Sequence, residues 1–214
     1  MTPSRGKGPG RGVLCPSLAG EAVSFQQIWA PWRLSYIVGE EGEEKDQGAP
    51  GSDRLRLLEG ADPKCFICQA TADPDNPKRY VVQQNGLCIT ILNRYPYNNG
   101  HLLVAPRLHK SCLEELTAEE HLALSQALAR MVQALTKVLR PEGFNVGMNL
   151  GRVAGAGLPE HLHWHIVPRW QGDTNFMAAL AAVKVIPQSL EALWEVLRAE
   201  LGRRDAQSAR NNAR

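Results

Sequence analysis

Apolar and polar positions follow two different periods along the centre of the chain, and each change of period marks a change of element. Tyr80 to Gln84 and Leu87 to Asn93 are short β-branched or apolar runs. Asn85-Gly86 between them is a strong two-residue hairpin signal. A third run, His101 to Ala105, follows the turn residues Pro96, Asn98, Asn99 and Gly100. The period then lengthens. Thr117-Ala118-Glu119-Glu120 reads as a capping box, after which Leu124, Leu128, Met131, Leu135 and Val138 recur at helical spacing until Pro141 and Gly143. Phe144 to Leu150 and His161 to Val167 supply two further strands. Ser189 opens a shorter helix with Leu190, Leu193, Leu197 and Leu201 on one face. Strands joined by short turns, with helices grouped apart from them, predict an α+β fold around a five-stranded antiparallel sheet, with one long and one shorter helix.

The flanks lack this patterning. Residues 1–22 and the linker 39–60 hold too few large apolar side chains to offset the entropy of ordering and are expected to be disordered or mobile. Between them, residues 23–38 carry Trp29, Trp32 and Tyr36 and read as an aromatic arm docked on the core. Residues 202–214, with Arg203, Arg204, Arg210 and Arg214 among small polar residues, read as a disordered basic tail. The folded domain is thus expected over 61–201, with its core over 65–175.

Charge and cysteine usage narrow the functional classes. A formal charge of +2, from 24 basic and 22 acidic residues, gives no global field to recruit nucleic acid or an anionic membrane, so any phosphate chemistry needs a local site. No stretch approaches the roughly 20 apolar residues of a membrane span, and the chain reads as cytoplasmic. Five cysteines, two of them in Cys65-Phe66-Ile67-Cys68, suit a reducing compartment better than a disulfide framework.

The candidate chemistry lies in His161-Leu162-His163-Trp164-His165-Ile166-Val167. In a strand, alternate side chains share a face, so three histidines line one surface while Leu162, Trp164 and Ile166 enter the core. A lone histidine is often a satisfied polar group at a core edge, but three at a period of two make that reading weak. A transition-metal cluster is the other alternative. Asn149 to Glu160 forms a glycine-bearing loop delivered directly to this strand, and glycines let backbone N–H groups approach an anion closely. Donors beside a nucleophile are what phosphoryl-type transfer requires.

Together with Asn99-Gly100-His101-Leu102-Leu103-Val104-Ala105-Pro106-Arg107-Leu108-His109, the run HLHWHIV resembles the histidine-triad family, whose signature is H-x-H-x-H followed by apolar residues. Asn93 to His101, Gly147 to Gly151 and Gly172 to Met177 are similar to its bacterial diadenosine tetraphosphate phosphorylase branch. The resemblance implies that His163 attacks the α-phosphorus of a nucleotide and carries the nucleoside monophosphate until water, phosphate or another acceptor removes it. A backbone carbonyl within the triad would hold its other ring nitrogen. His165 is implied to contact the transferred phosphate or its leaving oxygen, Asn149 to lie near the phosphates, and Asn93 to bond the ribose. Gly155, Ala156 and Gly157 are expected to offer backbone amides to phosphate. Hydrolases of the family carry Gln with Ser or Thr before the triad. Leu158-Pro159-Glu160 stands here instead, which favours phosphate as acceptor.

Cys65 and Cys68 have the spacing of half a zinc site, though such a pair is also compatible with redox chemistry or an empty thiol pair. With His109 and His161 they make a Cys₂His₂ set without an open position, resembling several bacterial histidine-triad proteins, and a structural zinc is expected. The expected function is cleavage of dinucleoside polyphosphates with inorganic phosphate as co-substrate. Hydrolysis of dinucleoside polyphosphates or phosphoramidates, or nucleotide sensing without turnover, are the alternatives. The resemblance further implies a homodimer, which would cover exposed sheet edges.

Overall fold

The computed structural model describes residues 55–174 and 185–212. The segment 1–22, the aromatic arm 23–38, the greater part of the linker 39–60 and Asn175 to Met177 lie outside the described residues. In chain order the elements are α1 (Phe66–Ala72), β1 (Val81–Gln84), β2 (Cys88–Leu92), β3 (Leu102–Pro106), α2 (Ala118–Leu139), β4 (Gly143–Met148), β5 (Trp164–Arg169) and α3 (Leu190–Asn212). The strands form one antiparallel sheet in the order β1-β2-β3-β5-β4. The α+β class and the five strands agree with the sequence pattern.

Local chemistry sets the boundaries. Thr117 caps α2 as expected: its hydroxyl accepts from the Glu120 amide at 3.2 Å, and the Glu120 carboxylate accepts from the Thr117 amide at 2.8 Å. The β1–β2 turn differs from the expected Asn85-Gly86 form. It centres on Gly86 and Leu87, because the Asn85 side chain accepts from the amides of both Leu87 (2.9 Å) and Cys88 (2.8 Å), while the Asn85 amide closes onto Cys88 O.

Alternation lets each strand serve two layers. Val82, Leu92, Leu102, Val104 and Ile166 pack with Leu124, Met131 and Leu135 of α2 and with Leu193, Leu197 and Leu201 of α3. On the opposite face, Val81, Ile89, Ile91 and Ala105 pack with Cys65, Ile67, Cys68 and Ala70. Each fully buried aliphatic side chain contributes about 1.5–3 kcal/mol. The two long helices therefore cover one face, and the other is left to α1 and the polar site.

The shorter helix and the basic tail need correction. The final helix continues past Leu201 to Asn212 and, at 23 residues, is as long as the 22-residue α2. Two arginines that read as part of a loose tail pair with Glu200 of their own helix, and one of them also reaches α2. Glu200, 1% exposed, gathers Lys137, Arg203 and Arg204 at 3.2, 3.0 and 2.9 Å, and Arg204 also reaches Gln133 of α2. Arg130 pairs with Asp205. Apolar periodicity ends at Leu201, but ion pairing carries the helix on.

Gly100 fixes the entry to β3. Its φ is +79°, and an added Cβ would lie 2.5 Å from Leu139 Cδ1 and 3.2 Å from Leu135 Cδ2 and Pro168 Cγ. Gly100→Ala should therefore lower unfolding free energy by about 1–3 kcal/mol, through left-handed strain and overpacking against α2. Urea denaturation followed by circular dichroism measures this.

Candidate active site and metal centre

β3 ends at Pro106, which has no N–H to extend the ladder, and its pairing with β5 stops at Val104 opposite Trp164. The expected strand over His161 to Val167 is accordingly corrected to Trp164–Arg169, with only His165 of the three histidines inside it. His161 and His163 precede the strand, where the Leu162 amide donates to Lys110 O at 2.7 Å. The predicted facing survives. Leu162, Trp164 and Ile166 belong to the core under α2, while His161 and His163, also buried, serve the polar site.

His163 is held in one tautomer by its own backbone neighbourhood. Its Nδ1–H donates to the carbonyl of His161 at 2.8 Å, which leaves Nε2 as the nitrogen with the lone pair. Burial holds its pKa below the usual histidine value, against the opposing effect of that carbonyl, so the ring is neutral near pH 7. The His165 ring stands edge-on to it with centroids 5.0 Å apart.

His165 rests on a residue that the sequence reading did not assign to the site. The Nε2 of His101 lies 2.9 Å from Nδ1 of His165, because β3 and β5 are neighbours. His101 is fully buried, and its Nδ1 accepts from the Tyr97 amide at 3.0 Å. The Tyr97 ring lies over both histidines, with centroids 4.5 Å from His101 and 5.6 Å from His165. Asn98 braces this corner by donating to Pro168 O at 3.0 Å and to the Asp173 carboxylate at 2.8 Å. The turn residues before His101 were legible, but the β3–β5 adjacency that gives them a role was not.

Asn93, expected at a ribose, has both ends of its amide engaged within the protein. Its Oδ1 accepts from the Tyr95 amide at 3.0 Å, and its Nδ2 lies 3.2 Å from His101 Nδ1. Asn149 closes the glycine loop, its Nδ2 donating to Gly155 O at 3.2 Å. Within that loop the Gly155 amide donates to Arg152 O and the Ala156 amide to Gly151 O, at 2.9 and 3.3 Å. Of the three amides expected to meet phosphate, only that of Gly157 has no protein partner among the described residues. Arg152 and Glu160 pair across the loop at 3.0 Å.

Cys65, Cys68, His109 and His161 converge, with their ligand atoms all within 4.8 Å of one another. Cys65 Sγ lies 3.3 Å from His161 Nδ1, and Cys68 Sγ lies 3.3 Å from His109 Nδ1 and 3.6 Å from His161 Nδ1. A tetrahedral zinc with ordinary bond lengths would separate S and N by about 3.6 Å, so the set fits. The tautomer fits as well. His161 Nε2–H donates to Pro106 O at 2.9 Å, leaving Nδ1 to coordinate. Burial lowers the His161 pKa to about 4, which keeps the ring neutral. Burial also raises the Cys65 thiol to about 12, helped by the adjacent Cys68, a cost that a divalent cation between the sulfurs would remove.

The HIT-domain family model matches residues 75–172. The chain is 38% identical over 184 residues to "AP-4-A phosphorylase" of Mycobacterium tuberculosis, covering 86% of this chain and 88% of that one. It is 27% identical over 118 residues to an adenosine 5'-monophosphoramidase of Schizosaccharomyces pombe, covering 55% and 85%. A histidine-triad nucleotide-binding protein of Sulfolobus tokodaii shares its fold with a TM-score of 0.52 at 25% identity, over 65% of this chain and 93% of that one. An HxHxH segment that runs into an interior strand of a five-stranded sheet with its first two histidines buried, together with a relative this similar over most of its length, places the chain in the histidine-triad family.

Proposed function

We propose that the protein is a nucleotidyltransferase that cleaves dinucleoside polyphosphates, diadenosine tetraphosphate among them, with inorganic phosphate as acceptor. His163 Nε2 attacks the α-phosphorus, the bond from that phosphorus to the bridging oxygen breaks, and ATP leaves. Phosphate then attacks the adenylyl-histidine, releasing ADP and restoring the neutral ring. The observation that carries this reading is the 2.8 Å bond from His163 Nδ1 to His161 O, which leaves a buried, neutral imidazole with its lone pair on Nε2. The similarity to the M. tuberculosis phosphorylase over most of the chain supports the substrate class.

The loop before the triad favours phosphate as the acceptor. Leu158-Pro159-Glu160 lacks the polar pair of the hydrolases, and the Gly157 amide, without a protein acceptor among the described residues, is available to an incoming anion. Hydrolysis, with water as acceptor, is the second reading, favoured by the phosphoramidase relative. A sensing role without turnover would leave the tautomer of His163 without a purpose.

The Cys₂His₂ set would hold zinc, which supplies a structural cross-link between the α1 segment, the end of β3 and the start of the triad. A second copy of the chain would pair along β4. That edge strand and the turn after it expose Val146, Leu150 and Val153.

Four outcomes follow from these assignments. Diadenosine tetraphosphate should yield ADP and ATP by chromatography at a rate that rises with added phosphate, and His163→Ala should reduce turnover to background while binding persists. AMP and ATP at a phosphate-independent rate would assign hydrolysis instead. Gly157→Val should slow phosphorolysis several-fold more than formation of the intermediate, read by single-turnover quench. Cys65→Ser should bring zinc well below one equivalent by elemental analysis and lower Tm by about 5–10 °C.

A further inference from the structure

Both ring nitrogens of His101 have fixed partners. Tyr97 donates its backbone N–H to His101 Nδ1 at 3.0 Å. Asn93 presents Nδ2 to the same nitrogen at 3.2 Å, and its amide cannot be turned over, because Oδ1 is already taken by the Tyr95 N–H at 3.0 Å. Two donors on Nδ1 require its lone pair, so the single proton of His101 sits on Nε2. That nitrogen lies 2.9 Å from His165 Nδ1, which must then accept. The proton of a neutral His165 is thereby confined to Nε2.

We propose that His101 is a positioning residue that locks His165 into the Nε2–H tautomer, making it a fixed hydrogen-bond donor to the phosphoryl group rather than a proton shuttle. This deepens the nucleotidyl-transfer reading and rests on it for the identity of the acceptor oxygen. The chain Tyr97 N–H, His101, His165 starts at a peptide amide, which does not give up its proton near neutral pH. His101 therefore cannot replace a proton passed on by His165 without itself becoming an anion. His165 accordingly stabilises charge on oxygen without transferring its proton, and a leaving polyphosphate departs as the anion. Asn93 acquires a role in the same chain, because its amide secures the His101 tautomer.

The lock is testable apart from turnover. In the full-length protein with ¹⁵N-labelled histidine, long-range ¹H–¹⁵N spectra should show both His101 and His165 protonated at Nε2, with acceptor-type Nδ1. His101→Gln keeps an N–H donor near the Nε2 position, and His101→Leu removes it. The Leu variant should lose the single His165 tautomer, and its kcat should fall by about 10²–10³-fold, the loss expected for one transition-state donor, with KM within a few-fold of the parent. The Gln variant should recover at least ten-fold of that loss. A His165 proton on Nδ1 in the parent overturns the proposal even if the Leu variant fails to fold. A Gln variant as impaired as a folded Leu variant also overturns it. If the parent forms no adenylyl-histidine, the transfer reading fails while the tautomer result still decides the lock.

Discussion

The hydrogen bond from Nδ1 of His163 to the carbonyl of His161 decides what this site is able to do. As a neutral bond in a folded protein it contributes only about 1 kcal/mol. Its chemical effect is larger than its energy, because it selects the tautomer whose lone pair is on Nε2. Without it, a buried imidazole would be divided between a nucleophilic form and an inert one. The carbonyl itself is placed by a residue with two further ties: His161 Nε2 binds Pro106 O, and Nδ1 faces the cysteines. One residue thus joins the Cys₂His₂ cluster to His163, its side chain anchoring a main chain that orients the next histidine of the triad.

The same logic of tautomers set by fixed partners recurs at His161, His163 and His101. Of the six histidines, all but His121, which is exposed on α2, lie in this one region. His161 gives its proton to Pro106, His163 gives its own to His161, and His101 is proton-bearing at Nε2 because Tyr97 occupies Nδ1. Protein carbonyls and amides thus distribute the ring protons, and burial of His161 and His163 keeps those rings neutral. The sheet makes this possible by placing β3 beside β5, so that residues more than sixty positions apart share one face.

Much of this was legible in the chain because it depends on short-range pattern. The alternation around Leu162, Trp164 and Ile166 gave the facing of the triad, the Thr117 capping box gave the start of α2, and the Cys65/Cys68 spacing pointed to the metal set. What the sequence left hidden depends on contacts distant along the chain. His101 looks like an ordinary strand entry until β5 pairs beside it. The bonds of the Gly155 and Ala156 amides to Arg152 and Gly151 form only when the loop folds. Arg203 and Arg204 look like a solvated tail until Glu200 is buried between α2 and α3. Pro106 was visible, yet its effect in ending the triad strand early required knowing which strand it faces.

The central claim is that His163 attacks through Nε2 because Nδ1 is held by the His161 carbonyl. It is tested most directly by trapping the intermediate on ¹⁵N-histidine-labelled protein with a diadenosine polyphosphate, without phosphate, and reading the phosphorus–nitrogen coupling by NMR. The account predicts one adenylyl group, on His163, bonded to Nε2. A group bonded to Nδ1, or carried by another side chain, would contradict it.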